Sequence, residues 1–311
     1  MVRRLNSEYF VFGLTVLFFI VAAPFTPGLA STATLLNLLG YSLPLLIVAI
    51  GMTIVMITGG IDLSVTSIIA LTSVVGAELM AKEGGTPVVV GVVAMLGLGA
   101  MLGALNGVVI AFMRLPAFIV TLASMMFFSG FAVWFTQSKN IYGLPHSFLS
   151  IGKLLPVTVT VTLFVAGFAH FVLGKTTFGR WLYAIGQNPV AAHVSGLPVR
   201  SIAFMSYVTS GVCAALASVI LTGRLETGSP VLGKEILLDI IGATVVGGTS
   251  LFGGRGKIIW TCFGVIFLTV LDNALNHLNL SQFTITMTKG GVILFAAVLD
   301  ATRRRFAGSA S

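Results

Sequence analysis

Asn37, Asp62, Asn106, Asp239, Asp272 and Asn273 each interrupt or border an apolar run of the sequence. A carboxamide or carboxylate in such a setting can hydrogen-bond a passing polar solute, hold a coupling ion, or satisfy a neighbouring helix as an interhelical bond or cap. Asn37, Asn106 and Asn273 suit the interhelical role, and Asp272 lies close enough to an expected helix end to reach water. Asp239 is the stronger solute contact, because its run is unusually short. Enzyme chemistry finds no support, since no nucleophile and base stand in a recognisable pairing. His146, His170, His193 and His277 are scattered, with no thiolate or acid at ligand spacing, so neither a catalytic residue nor a metal site is expected. Cys213 and Cys262 fall inside apolar runs and read as small buried hydrophobes.

The elements that position these residues follow from composition. Hydrophobic residues make up 57% of the 311, charged residues 8%, and the mean hydropathy is +1.06. A water-soluble domain of this size would have to expose large apolar patches, so the chain is an all-α polytopic membrane protein. Its net charge of +8 does not signal nucleic acid, because the basic residues sit in short gaps between apolar segments instead of gathering on a soluble face.

A spanning helix needs roughly 20 apolar residues. By that measure about ten transmembrane helices are expected, some short or broken, over 9–26, 35–58, 65–81, 87–113, 117–136, 154–174, 201–222, 236–249, 258–278 and 284–302. The first run follows the basic "MVRR" and precedes the small residues "GLAS", as a signal peptide would. Its apolar core is longer than is typical of one, and losing it would leave an odd number of spans and a poorer charge pattern. With the amino terminus in the cytoplasm, the inner side collects Arg3, Arg4, Arg114, Lys175, Arg180, Arg200, Arg255, Lys257, Arg303, Arg304 and Arg305, against Lys82, Lys139, Lys153, Arg224 and Lys234 outside. That bias obeys the positive-inside rule and places both termini in the cytoplasm. Lys289 lies within the last span.

Two places look broken. "TGGIDLS" at 58–64 puts paired glycines and Asp62 between two apolar runs, and 236–249 is short, Gly-interrupted and carries Asp239. Irregular backbone at membrane depth survives where protein or a wet cavity satisfies it, so such segments point to a translocation path. An interfacial turn, with Asp62 or Ser64 capping the next helix, accounts for the first equally well.

The loop at 175–200, "KTTFGRWLYAIGQNPVAAHVSGLPVR", is the polar exception and is expected in the cytoplasm. Asn188 suits an N-cap, Pro189 the first helical position and Gly196 the stop, which predicts a helix of about two turns. Val190, Ala191 and Val194 would share a small apolar face, with His193 pointing elsewhere. So short a helix is marginal alone and must pack against its own domain, the bilayer or a cytoplasmic partner.

"GMTIVMITGGIDLSVTSI" at 51–68, "LPAFIVTLASMMFF" at 115–128, "GRWLYAIGQNPVAAHVSGL" at 179–197 and "GATVVGGTSLFGGRG" at 242–256 occur in an order and spacing that resemble the permease subunits of bacterial sugar-importing ABC transporters, the ribose, xylose, arabinose and galactofuranose group. The commonest form of the first motif has Gly after "DLSV" where this chain has Thr66, a departure that bears on helix packing. The resemblance covers nearly the whole chain. It implies a single transmembrane permease domain over 1–311 in the bacterial inner membrane, working as a path for a monosaccharide.

The partners it implies are a cytoplasmic ABC ATPase, a periplasmic sugar-binding protein and a second permease copy or related permease. ATP and Mg would be bound by the ATPase, with no cofactor on this chain; "GGRGKI" lacks the spacing and the hydroxyl of a P-loop. Gln187, Asn188, Pro189, Val190, Ala191, Ala192, His193 and Gly196 then resemble the coupling helix that seats in the ATPase, with Arg255 and Lys257 as a second inner-loop contact. A sugar path wants hydrogen-bonding groups and aromatic faces. Asn37, Asp62, Asn106, Asp239, Asp272 and Asn273 are its polar candidates, and Phe127 its aromatic one, with Phe128 and Trp134 as further rings that could equally pack or anchor. The rival reading is a stand-alone ion-coupled secondary transporter, for which Asp62, Asp239 and Asp272 would serve as coupling carboxylates.

Overall fold

The computed structural model describes residues 7–26, 28–81 and 85–308. Arg3, Arg4 and Lys82 of the charge balance lie outside them. The described backbone is helical with connecting loops, plus one isolated pairing of Ile141 with Gly228. In chain order the helices are α1 (Ser7–Ala22), α2 (Thr32–Ile57), α3 (Val65–Met80), α4 (Val88–Ala111), α5 (Ala117–Thr136), α6 (His146–Lys153), α7 (Leu155–Lys175), α8 (Thr177–Gln187), α9 (Pro189–Val194), α10 (Val199–Leu225), α11 (Leu237–Val246), α12 (Ile258–His277) and α13 (Gln282–Gly308).

Among the described residues, α2, α4, α5, α7, α10 and α12 are long and apolar enough to cross a membrane, and the apolar parts of α1, α3 and α13 are shorter. The expected run at 236–249 is a helix of only 10 residues, about 15 Å of rise. Its end is set by Gly247 and by Gly248, whose φ of +96° suits only glycine without strain. A Cβ on Gly247 would meet the Trp260 carbonyl, and one on Gly264 the Ala243 carbonyl, so α11 and α12 lie backbone to backbone.

The centre is built from α2, α3, α4 and α10. Lipid tails give helices no hydrophobic reason to associate, so small residues that let backbones approach do much of the work. Gly99, Gly103 and Gly107 of α4 face Gly211, Tyr207 and Phe204 of α10, and a Cβ on Gly99 would strike the Gly211 carbonyl. Interhelical hydroxyl bonds add to this: Ser218 donates to the Ile69 carbonyl at 2.8 Å, and Ser73 pairs with Thr222 at 2.7 Å. Large apolar side chains on α5 and α7, including Ile119, Met126, Leu163 and Phe164, point outward, as a lipid-facing rim requires.

The connections define two ends. The α7–α10 turn, Ile57 and the 250–257 loop meet at one, here the α9 end. At the other, the α6 end, Lys153 pairs with Glu226 at 2.7 Å and α6 packs on the last turn of α10.

Candidate coupling surface and solute path

The turn from α7 into α8 is tight because Gly179 has no side chain. A Cβ there would run into the Leu173 and Val172 carbonyls. Thr176 caps α8 by accepting from the Gly179 N–H at 3.3 Å. Leu182 and Ile185 are the buried face of α8 and pack with Ile54, Ile57 and Ile258. Asn188 then serves two helices: its N–H donates to the Ala184 carbonyl, closing α8, while its side-chain oxygen accepts from the Val190 and Ala191 N–H groups, both at 3.0 Å, opening α9. Gly196 ends the turn at φ +80°.

The expected caps are therefore present, and of the three surfaces the Val190, Ala191 and Val194 face could pack on, its own domain is not the one. Val190 is 71% exposed and Val194 82% exposed, while Ala192 alone in α9 is buried, against the core under α8. The reason is the rotation fixed by the Asn188 cap, which turns Ala192 inward and leaves Val190, Ala191, His193 and Val194 outward. Ala192 anchors α9 to its own chain instead of offering itself to a partner.

This turn is joined to two distant segments. The Gly254 N–H donates to the Ile57 carbonyl at 2.8 Å, and Gly186 lies so close to both that any side chain would collide with them. Tyr183 donates to the Gly256 carbonyl at 2.7 Å, and burial pushes its phenol pKa up, which keeps it a donor. Gly254 also abuts Gln187. Arg255 is exposed beside the start of α9, and Lys257 lies 4.9 Å from the Trp260 ring. The 51–68, 179–197 and 242–256 motifs thus meet in one junction.

Asp62 and Asn106 come together just inside this junction, where α2 gives way to α3. Asp62 is fully buried. It accepts from the Ser64 N–H at 3.0 Å, the Ser64 hydroxyl at 2.6 Å and the Ser210 hydroxyl of α10 at 2.8 Å. Asn106 of α4 donates to the Ser64 hydroxyl oxygen at 2.8 Å and accepts from Ser124 of α5. Four helices are tied by this network. Tyr207 adds a buried hydroxyl beside Gly60 with no partner.

Asp239 and Asp272 form a different cluster near the α6 end. Lys289 of α13 lies between them, 3.1 Å from Asp239 and 2.5 Å from Asp272, and Asn276 donates to Asp272 at 3.1 Å. The two acids border a cavity of about 170 Å³ with Tyr41, Leu45, Ile236 and Leu268. Asn37 lines a separate cavity of about 360 Å³ with Lys153 and Arg224. The Arg224 guanidinium sits 4.1 Å from the centroid of the Tyr41 ring, between the two cavities. Asn273 is half-buried, with its side-chain oxygen unpartnered. Phe127 and Trp134 are exposed on α5, neither lining the Tyr41 or the Asn37 cavity, and Phe128 is packed in the core.

Residues 34–299 match the family described as branched-chain amino acid transport system / permease component. The chain belongs to this permease family. Among its relatives, the ribose import permease RbsC of Bacillus subtilis is 40% identical, over 93% of this chain and 90% of the relative. RbsC of Escherichia coli K12 is 37% identical, over 90% and 89%, and the L-arabinose transport permease AraH of the same strain is 35% identical, over 97% and 93%. No solved structure matches the chain. This permease is thus a transport subunit, as its relatives are named, and the resemblance in its motifs is a family membership.

Sequence reasoning about the permease overlooked Lys289 as a partner, Tyr41 as a cavity wall and Gly186 as the centre of the junction. The first had a signal: a single lysine inside a span, with two aspartates in neighbouring spans, invites pairing. Gly99, Gly103 and Gly107 also had one, in the four-residue spacing of small residues. Gly186 had none, because its neighbours are more than 60 residues away in either direction.

Proposed function

We propose that the permease is the membrane subunit of an ATP-driven importer of a monosaccharide. In this reading it crosses the bacterial inner membrane ten times, with short α3 and α11 completed by their flanking loops and both termini cytoplasmic. The α9 end then faces the cytoplasm, where Arg114, Lys175, Arg180, Arg200, Arg255 and Lys257 satisfy the positive-inside rule. The α6 end receives sugar from a periplasmic binding protein. A second copy, or a related permease, completes the path.

The observation that carries the reading is the junction at the α9 end. A six-residue helix, exposed on one side and anchored by Ala192 on the other, follows directly on α8, whose Tyr183 bonds the 250–257 loop, and that loop in turn bonds the α2 terminus. That is the construction a cytoplasmic ATPase needs in order to move membrane helices by pushing on a small knob. Gln187, Asn188, Pro189, Val190, Ala191, His193 and Gly196 would meet the ATPase, with Arg255 and Lys257 beside them. ATP and Mg belong to that partner, and this chain binds no cofactor.

The test is reconstitution of the permease with its co-purifying ATPase and binding protein in vesicles, supplied with ribose, arabinose or allose. ATP-dependent uptake is expected. Uptake by the permease alone, driven by an ion gradient without ATP, overturns the reading.

A further inference from the structure

We propose that Tyr41, Asp239 and Asp272, the two acids bridged by Lys289, form a contact site for a polyhydroxylated solute at the α6 end of the path. The inference rests on the importer reading and assigns it a place where sugar is held. Four features of the cavity combine. The Tyr41 ring is 62% exposed and borders it, offering a flat apolar surface to the C–H groups of a sugar. Leu45, Ile236 and Leu268 extend that apolar wall. Two carboxylates with one ammonium leave hydrogen-bond acceptors to spare: among the described residues Asp239 receives Lys289 and Asp272 receives Lys289 and Asn276, whereas an ionised carboxylate has about four acceptor positions. Hydroxyl groups are the donors that fit.

The fourth feature excludes the commonest rival for such a cluster. Lys289 occupies the space between the acids, so a metal or alkali cation would be repelled by the ammonium already there. With Arg224 over the Tyr41 ring, two negative charges stand against two positive ones, so no net charge draws an anion in turn. A neutral hydroxylated ligand remains. Apolar wall plus a few convergent polar groups is the general make-up of a small-molecule site, and an opening to the surface at Asp272, which is 38% exposed, allows release.

The experiment compares wild type, Tyr41→Ala, Tyr41→Phe and Asp272→Asn in the reconstituted complex, with ribose, arabinose, allose and 2-deoxyribose as probes. Tyr41→Ala and Asp272→Asn are expected to lower the uptake rate about tenfold, the scale of one lost polar or packing contact, with Tyr41→Phe close to wild type. In Asp272→Asn the preference for ribose over its deoxy form is expected to shrink, which a merely structural role would not cause. Wild-type uptake and wild-type sugar preference in Tyr41→Ala and Asp272→Asn would overturn the site while leaving the importer intact. Absence of ATP-dependent uptake in the wild-type complex would overturn the importer reading itself.

Discussion

Asp62 and the Asp239–Asp272 pair are all acids in a membrane-spanning bundle, yet they are built into opposite kinds of place. Asp62 is sealed, with serine donors on α3 and α10 and an asparagine link to α4 and α5. Asp239 and Asp272 share one lysine, stand beside a cavity and keep acceptor positions open. A carboxylate whose hydrogen bonds are filled by protein is part of the frame. One with unfilled acceptors at a cavity can accept from a ligand, the role proposed for Asp239 and Asp272. The comparison separates two roles that the sequence could only list together.

The largest effect expected from it is on folding. Asp62→Ala strips the acceptor from three buried donors, each costing about 1–3 kcal/mol when orphaned. Detergent-solubilised protein should lose most of its thermal stability, whereas Asp272→Asn, which leaves Asp239 to pair Lys289, should lose less. Equal melting of Asp62→Ala and wild type would break the distinction. Next in size, Gly186→Val should cost about 1–3 kcal/mol by overpacking, because the atoms it meets are the backbone of Ile57 and Gly254; the same melting assay reads it.

The two alanines of α9 sharpen a parallel contrast. Ala192→Asp buries an unpaired carboxylate and should destabilise by about 2 kcal/mol or more, while Ala191→Asp, exposed, should fold within about 0.5 kcal/mol of wild type. Ala191→Asp should nonetheless separate ATP hydrolysis from uptake, as measured side by side in vesicles. Undiminished coupled uptake would remove α9 as the docking knob. The smallest effect is expected from Asn188→Ala, which removes a cap worth about 1 kcal/mol; it should weaken ATPase binding measurably without abolishing uptake.

What was legible in the sequence was local chemistry. The bounds of α2, α4, α5, α7, α10 and α12 lie within a few residues of the expected apolar runs, because hydropathy and helix-ending residues act along the chain. The Asn188, Pro189 and Gly196 signals of α9 were equally local. The cap expected of Asp62 or Ser64 was only partly so: Ser64 stands at the N-cap of α3 without a side-chain cap bond, and Asp62 accepts from the Ser64 N–H in the turn before it. The rotation of α9 was not legible, since burying Ala192 depends on a core assembled from α2, α7, α8, α10 and the start of α12. Ser210 and Ser124 as partners of the Asp62 network also required the tertiary arrangement. The exposed Phe127 was ambiguous for a further reason: in a lipid solvent, an outward phenylalanine and an inward one carry the same signal.

One element joins both regions. Leu197 leads from α9 straight into α10, whose 27 residues make a rod of about 40 Å. Ser210 lies near its middle, and Arg224 close to its far tip, over the Tyr41 ring. A tilt of that rod at the knob would therefore be delivered to the aromatic wall as a change in how closely one guanidinium rests on it. In the importer proposed above, nucleotide turnover on one side of the bilayer would set the grip of a ring on the other.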